Sequence, residues 1–160
     1  MTKHITQSQH VNNAHYELRG RLTQAANALQ AKEKPLLKLH LGNPGLFNLT
    51  AAEELITAIT DNLTSSQAYC DSKGLMSARL AIQQHAKDNS LADMKLDHIM
   101  IGNGVSELIN FSLQALLNPG DEVLLPQPVY PLWSAATTLH GGQVCYYHCN
   151  KDNWLPDIDH

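Results

Sequence analysis

His98-Ile99-Met100-Ile101-Gly102-Asn103-Gly104-Val105-Ser106-Glu107-Leu108-Ile109 decides how this chain is read. A short apolar run meets two glycines and then a helical pattern, so the stretch predicts a strand, a turn and a helix start. The first turn of a helix carries N–H groups with no intrahelical partner. The helix dipole adds partial positive charge there, so the turn suits a phosphate. A plain tight turn would show the same glycines. A dinucleotide fingerprint would need a third glycine where Glu107 stands, and no Gly-Lys-Ser/Thr follows to make a P-loop. Gly104-Val105-Ser106-Glu107-Leu108 also lacks the closing glycine of a nucleophile elbow.

Downstream, Ser106 to Leu117 is apolar nearly all round, which predicts a helix covered on most sides. Asn118-Pro119-Gly120-Asp121 stops it. Glu122 to Pro126 reads as a second strand, and Gln127-Pro128-Val129-Tyr130-Pro131 as a rigid turn. Leu132 to His140 is predicted helical, ended by Gly141-Gly142, and Gln143 to Cys149 forms a third strand. Strands alternating with helices predict a parallel α/β sheet, whose ligands sit beyond the carboxyl ends of the strands. The Gly102–Ser106 turn and the Tyr130 turn both follow strand ends, so they are candidates for lining one site.

Upstream, residues 1–15 read as a loosely held polar arm. A helix is predicted from Tyr16 to about Glu33, with Leu18, Leu22, Ala25, Ala26 and Leu29 on one face. Lys38 to Leu41 is a short extended piece, broken by Gly42-Asn43-Pro44-Gly45. Thr50 and Glu53 have capping-box spacing, which predicts a helix to about Asn62 with Leu55, Ile56 and Ile59 buried. Residues 63–74 form a polar loop holding Tyr69 and Gly74. Leu75 to about Lys87 is again helical, with Ala78, Ile82 and His85 or Ala86 facing in.

The totals narrow the function classes. The 160 residues suffice for one domain with a core. A net charge of −4 disfavours a nucleic-acid partner. No apolar run is long enough to cross a bilayer, and the polar start is no signal peptide. Cys70, Cys145 and Cys149 show no disulfide framework, which suits a reduced, cytoplasmic protein. Cys145 and Cys149 would share one face of a strand as buried thiols. With a single nearby His148 they lack the ligands of a metal site, and the other histidines form no metal-binding pattern.

Four stretches, in order, resemble one family. They are Leu39-His-Leu-Gly-Asn-Pro44, Ala68-Tyr-Cys-Asp-Ser-Lys-Gly-Leu75, Ile101-Gly-Asn-Gly-Val-Ser-Glu-Leu108 and Asn118-Pro-Gly-Asp-Glu-Val-Leu-Leu-Pro-Gln-Pro-Val-Tyr-Pro-Leu-Trp133. The chain looks like the amino-terminal part of a fold-type I, class I/II, pyridoxal-phosphate-dependent aminotransferase, nearest the bacterial alanine aminotransferases. The resemblance runs from about Tyr16 to the end.

It implies an incomplete large domain of three parallel strands with helices. Residues 1–45 would be the arm, helix and small-domain segment, and residues 46–160 the first part of the cofactor-binding domain. It implies that Gly104, Val105 and Ser106 hold the cofactor phosphate and that Tyr130 stacks on the pyridine ring. Tyr69 would reach the phosphate of a neighbouring subunit in a homodimer. Gly42 would bring bare backbone near the substrate carboxylate, and Trp133 would pack behind the site.

Amino-acid and 2-oxo-acid substrates of the alanine and glutamate type are implied as well. Lys73 does not match the Schiff-base lysine. That lysine, the aspartate at the pyridine nitrogen and the clamp arginine of the family match positions beyond His160. The expectation is therefore a fragment, inactive alone, with apolar edges left bare, that folds poorly or associates. Two other readings remain open. One is a non-catalytic phosphate- or nucleotide-binding α/β module. The other is an interaction fragment that pairs with full-length subunits through residues 63–74.

Overall fold

The structure is a computed structural model that describes residues 4–16, 20–39, 42–91 and 94–158. Among the described residues it holds six α-helices: α1 (Gln9–Asn13), α2 (Arg21–Gln30), α3 (Glu53–Asn62), α4 (Met76–Asp88), α5 (Gly104–Leu116) and α6 (Pro131–Leu139). Two strands, β1 (Glu122–Gln127) and β2 (Gln143–His148), pair in parallel. The chain divides into two compact units, Met1–Ala25 with Gly102–His160, and Ala26–Ile101.

In the first unit, β1, α6 and β2 form a strand–helix–strand crossover, with Glu122 opposite Gln143 and Gln127 opposite His148. Two turns lock its base. Asp121 Oδ2 accepts from Asn118 N at 2.7 Å, and Gly120 N donates to Gly141 O at 2.9 Å. A Cβ on Gly142 would lie 2.9 Å from Leu117 Cδ1 and 3.0 Å from Thr137 Cγ2, so a larger residue between the turns would have to displace those side chains. Ile109 and Leu113 of α5 meet Ala136 of α6, with Leu117, Val123 and Leu132 packed around them. Each fully buried Leu or Ile contributes about 1.5–3 kcal/mol.

The polar arm is better held than its composition suggests, because α1 packs on α6. The predicted coverage of α5 is not met. Ile109 and Leu113 are buried, but Phe111 and Leu116 are 55% and 75% exposed, since only one face of α5 meets α6 and the sheet.

In the second unit, α4 is the anchor. Arg79, 2% exposed, donates from Nε to Ile99 O at 3.1 Å and from Nη2 to Leu96 O at 2.7 Å. Gln83 donates to Met94 O at 2.7 Å. These bonds fasten the approach to Ile101 onto the helix. Of the residues expected to face in, Ala86 is buried and Ala78 half-buried, but Ile82 and His85 are exposed. Arg79 occupies the core position instead, because main-chain carbonyls receive its fork.

Four further expectations need correction. The first predicted strand does not pair: Leu96–His98 is a 3-10 turn, and Ile99 is extended without a ladder partner. Among the described residues the sheet therefore has two strands, because an extended segment becomes a strand only when another backbone lies beside it. The Thr50/Glu53 capping box does not form, since α3 starts after Ala52 with no side-chain cap. Leu55, Ile56 and Ile59 are 52–58% exposed, with no buried residue on α3. Leu22 and Leu29 of α2 are exposed too. In both helices the apolar spacing is present, but no described element packs over it. Leu18, His40 and Leu41 lie outside the described residues.

Candidate functional site: an open helix start and a tyrosine-bearing turn

Gly104 opens α5 with φ +78°, a backbone that side chains rarely adopt, and a Cβ there would meet nothing within 4 Å. The turn therefore uses glycine for its conformation, and the space beside it is free. Gly104, Val105 and Ser106 are all exposed. The Asn103 side chain makes no capping hydrogen bond. The N–H groups that begin α5 thus face solvent instead of a packed interior, as a helix-start anion site requires.

Glu107 closes the turn from behind. Its Oε2 accepts the Asn103 N–H, and it lies 3.0 Å from where a Cβ on Gly102 would stand. Sequence reasoning used Glu107 only to exclude a dinucleotide fingerprint and missed this role. Glu107 is the fourth residue of α5, one place past the capping-box position that Ser106 holds, so the usual capping pattern does not flag it.

Tyr130 is the residue before α6 and is half exposed at 50%. Pro131 starts the helix, where its missing N–H costs nothing. The Tyr130 hydroxyl lies 3.2 Å from that of Tyr16. Trp133 is the third residue of α6 and is 38% exposed, and its carbonyl accepts from the buried Thr137 hydroxyl at 2.8 Å. Tyr16 was not singled out by sequence reasoning, for no local pattern links it to Tyr130.

In the second unit, Tyr69 is fully exposed on the loop after the 3-10 turn Ser65–Gln67. Beyond it, Asp71 Oδ1 accepts from Lys73 N at 2.8 Å, and Ile101 N donates to Lys73 O at 2.9 Å. Lys73 Nζ reaches Asp97, 3.4 Å away. Lys73 thus serves as a strut between two backbone segments. Gly42 is exposed, with open space at its missing Cβ.

No three His, Cys, Asp or Glu residues come together to hold a metal among the described residues. Cys70 is exposed, and Cys145 and Cys149 are half-buried. Cys149 lies past the end of β2, bridged to Pro156, so it does not share the strand with Cys145. Burial pushes the Cys145 thiol up from its ordinary value, and the Glu122 carboxylate pushes the same way. It is a poor nucleophile there. No helix among the described residues is long and apolar enough to cross a membrane.

Residues 34–160 match the family model described as aminotransferase class I and II. The chain belongs to the class I and II aminotransferases. These aminotransferases are pyridoxal-phosphate-dependent. The glutamate-pyruvate aminotransferase AlaA of Haemophilus influenzae is 48% identical over 145 residues, covering 90% of this chain and 36% of the relative. AlaA of Escherichia coli is 45% identical over 156 residues, covering 97% and 38%. A crystal structure of an aminotransferase from Escherichia coli superposes with a TM-score of 0.87 at 44% identity, over 98% of this chain and 39% of that one.

The chain therefore spans somewhat over a third of the length of the aminotransferases it matches. Its fold is a partial fold-type I α/β domain with a small parallel sheet. The family's cofactor needs a cradle for a phosphate dianion. The start of α5 fits that need, with open space at Gly104, exposed backbone through Ser106 and no side-chain cap.

Proposed function

We propose that this chain supplies the phosphate and ring side of a pyridoxal phosphate site. The enzyme it belongs to would exchange amino groups between alanine or glutamate and 2-oxo acids. The observation that carries the reading is the open, uncapped start of α5 at Gly104–Ser106, on a chain of this family. The names of relatives 45–48% identical support the alanine and glutamate substrates.

In this reading, Gly104, Val105 and Ser106 take the phosphate, the first two through backbone N–H groups. Tyr130 stacks on the ring. Tyr69 serves the phosphate of a second subunit in a homodimer, and Gly42 leaves backbone room for the substrate carboxylate. When bound, the cofactor supplies an electron-accepting ring that eases loss of the substrate α-proton. Lys73 Nζ is paired with Asp97, 3.4 Å away, and is not assigned to carry the cofactor. The 160-residue chain then holds the cofactor's anionic end without transaminating. Residues 1–45 belong with the small domain of the complete fold and residues 46–160 with the large one. The enzyme is placed in the cytoplasm.

Titrating the 160-residue chain with pyridoxal phosphate, pyridoxal and a nucleotide tests this reading. Pyridoxal phosphate is expected to bind about tenfold more tightly than pyridoxal, through the phosphate alone. Borohydride reduction should leave no lysine conjugate. Nucleotide binding without a response to pyridoxal phosphate would establish a nucleotide-binding module instead. Alanine-dependent transamination is expected only from a polypeptide that also carries the segment matching the rest of its relatives.

A further inference from the structure

The Glu107 carboxylate points back over the turn that its own helix begins. It accepts the Asn103 N–H and fills the space a side chain on Gly102 would need, with Leu108 Cδ2 on the same spot at 2.7 Å. A side chain on Gly102 would displace the ends of the Glu107 and Leu108 side chains, and Asn103 is tethered because Glu107 accepts from it. One hydrogen bond tethers the backbone immediately before Gly104.

We propose that Glu107 is the positioning residue of the phosphate turn, presetting the shape in which the donors from Gly104 to Ser106 stay free for the anion. The inference rests on the phosphate reading given above. Its physical basis is the count of donors at a helix start. An untethered Asn103 N–H would compete for the phosphate and let the turn take several shapes. With that N–H bonded to Glu107, the N–H groups of Gly104 and Val105 and the Ser106 hydroxyl are among those left for the anion. A site held in its bound geometry saves the ordering cost on binding. The same carboxylate is negative and sits at the anion site's edge, so its charge works against the affinity that its hydrogen bond supports.

Two variants separate these effects. Glu107→Gln keeps an acceptor for Asn103 and removes the charge. Glu107→Ala removes both. The two share the same charge, so their difference reads positioning alone. Pyridoxal phosphate should bind Glu107→Gln about fivefold more tightly than Glu107→Ala. Pyridoxal, which has no phosphate, should bind the two equally. Exchange of the Asn103 amide proton should be slow in the wild-type chain and in Glu107→Gln, and fast in Glu107→Ala.

Equal pyridoxal phosphate affinity in Gln and Ala, with the wild-type chain still preferring pyridoxal phosphate to pyridoxal, overturns the inference and leaves the phosphate site standing. A parallel loss of pyridoxal binding in Ala assigns Glu107 a general folding role and overturns it also. A wild-type chain that does not prefer pyridoxal phosphate overturns both readings together.

Discussion

The hydroxyls of Tyr16 and Tyr130 lie 3.2 Å apart although 114 positions separate them in the chain. Tyr16 follows α1, which packs on α6, and Tyr130 is the residue before α6. The arm is thereby joined to the turn proposed to face the cofactor ring. Removing one hydroxyl from an exposed pair costs about 0.5–1 kcal/mol. Tyr16→Phe should lower urea stability by no more than that. Tyr130→Phe keeps the ring and should retain pyridoxal phosphate binding within about twofold. Tyr130→Ala should weaken it about tenfold by fluorescence titration, for a stacked ring contributes about 0.5–1.5 kcal/mol beyond its buried area. Equal affinity in Phe and Ala variants would remove Tyr130 from the site.

Gly74 and Gly104 both have positive φ, +101° and +78°, but their surroundings differ. A Cβ on Gly74 would lie 2.7 Å from Ile101 Cβ, whereas one on Gly104 would meet nothing. Gly104→Ala should cost only backbone strain, about 1–2 kcal/mol in urea unfolding. Gly74→Ala adds a collision between two backbone-anchored Cβ atoms and should cost more, on the order of 3 kcal/mol. The opposite ranking would mean that the Ile101 segment yields easily.

Arg79 is held by main-chain oxygens more than by its ion pair. Its side chain is 3% exposed, while Asp97, 3.7 Å from Nη2, is 86% exposed. Charges in such a solvated pair attract weakly. Asp97→Asn should therefore cost less than about 1 kcal/mol. Arg79→Met strips the charged donors from Leu96 O and Ile99 O and should cost about 3 kcal/mol, measured by urea melts at matched ionic strength.

Cys145 should react more slowly than Cys70 with a thiol reagent between about pH 7 and 9. Its folded-state pKa is raised by burial and then by Glu122, so the thiolate forms later with rising pH than in an open chain. The folded chain thus holds the proton longer than the unfolded one. The associated stability is complete below the unfolded thiol's pKa and declines as pH rises above it. Cys145→Ser should flatten that alkaline decline. Labelling of Cys145 ahead of Cys70 would contradict the assignment.

The sequence was most legible from Gly102 to Cys149. Turn residues there, Asn118-Pro119-Gly120-Asp121 and Gly141-Gly142, bracket the helices and strands to within a residue or two, because local bonds settle such turns. The open start of α5 was also readable, since a glycine pair followed by an apolar helix forms that geometry with little outside help. The first strand was not readable. Ile99-Met100-Ile101 has strand composition, but pairing needs a neighbour that the local sequence does not specify. The buried face assigned to α3 went wrong for the same reason. Leu55, Ile56 and Ile59 recur at helical spacing, yet periodicity states which face could be covered, never what covers it.

By itself the sequence determined the family, the alternation of helix and strand after Gly102, and the glycine turn that leaves amides bare. Those depend on bonds among residues a few positions apart. Only the tertiary structure decided that Tyr16 meets Tyr130, that Arg79 is buried against Leu96 and Ile99, and that two strands pair where three were expected. Each of those joins backbone or side chains distant along the chain. Such encounters are fixed by packing and by the search for hydrogen-bond partners, which no local pattern encodes.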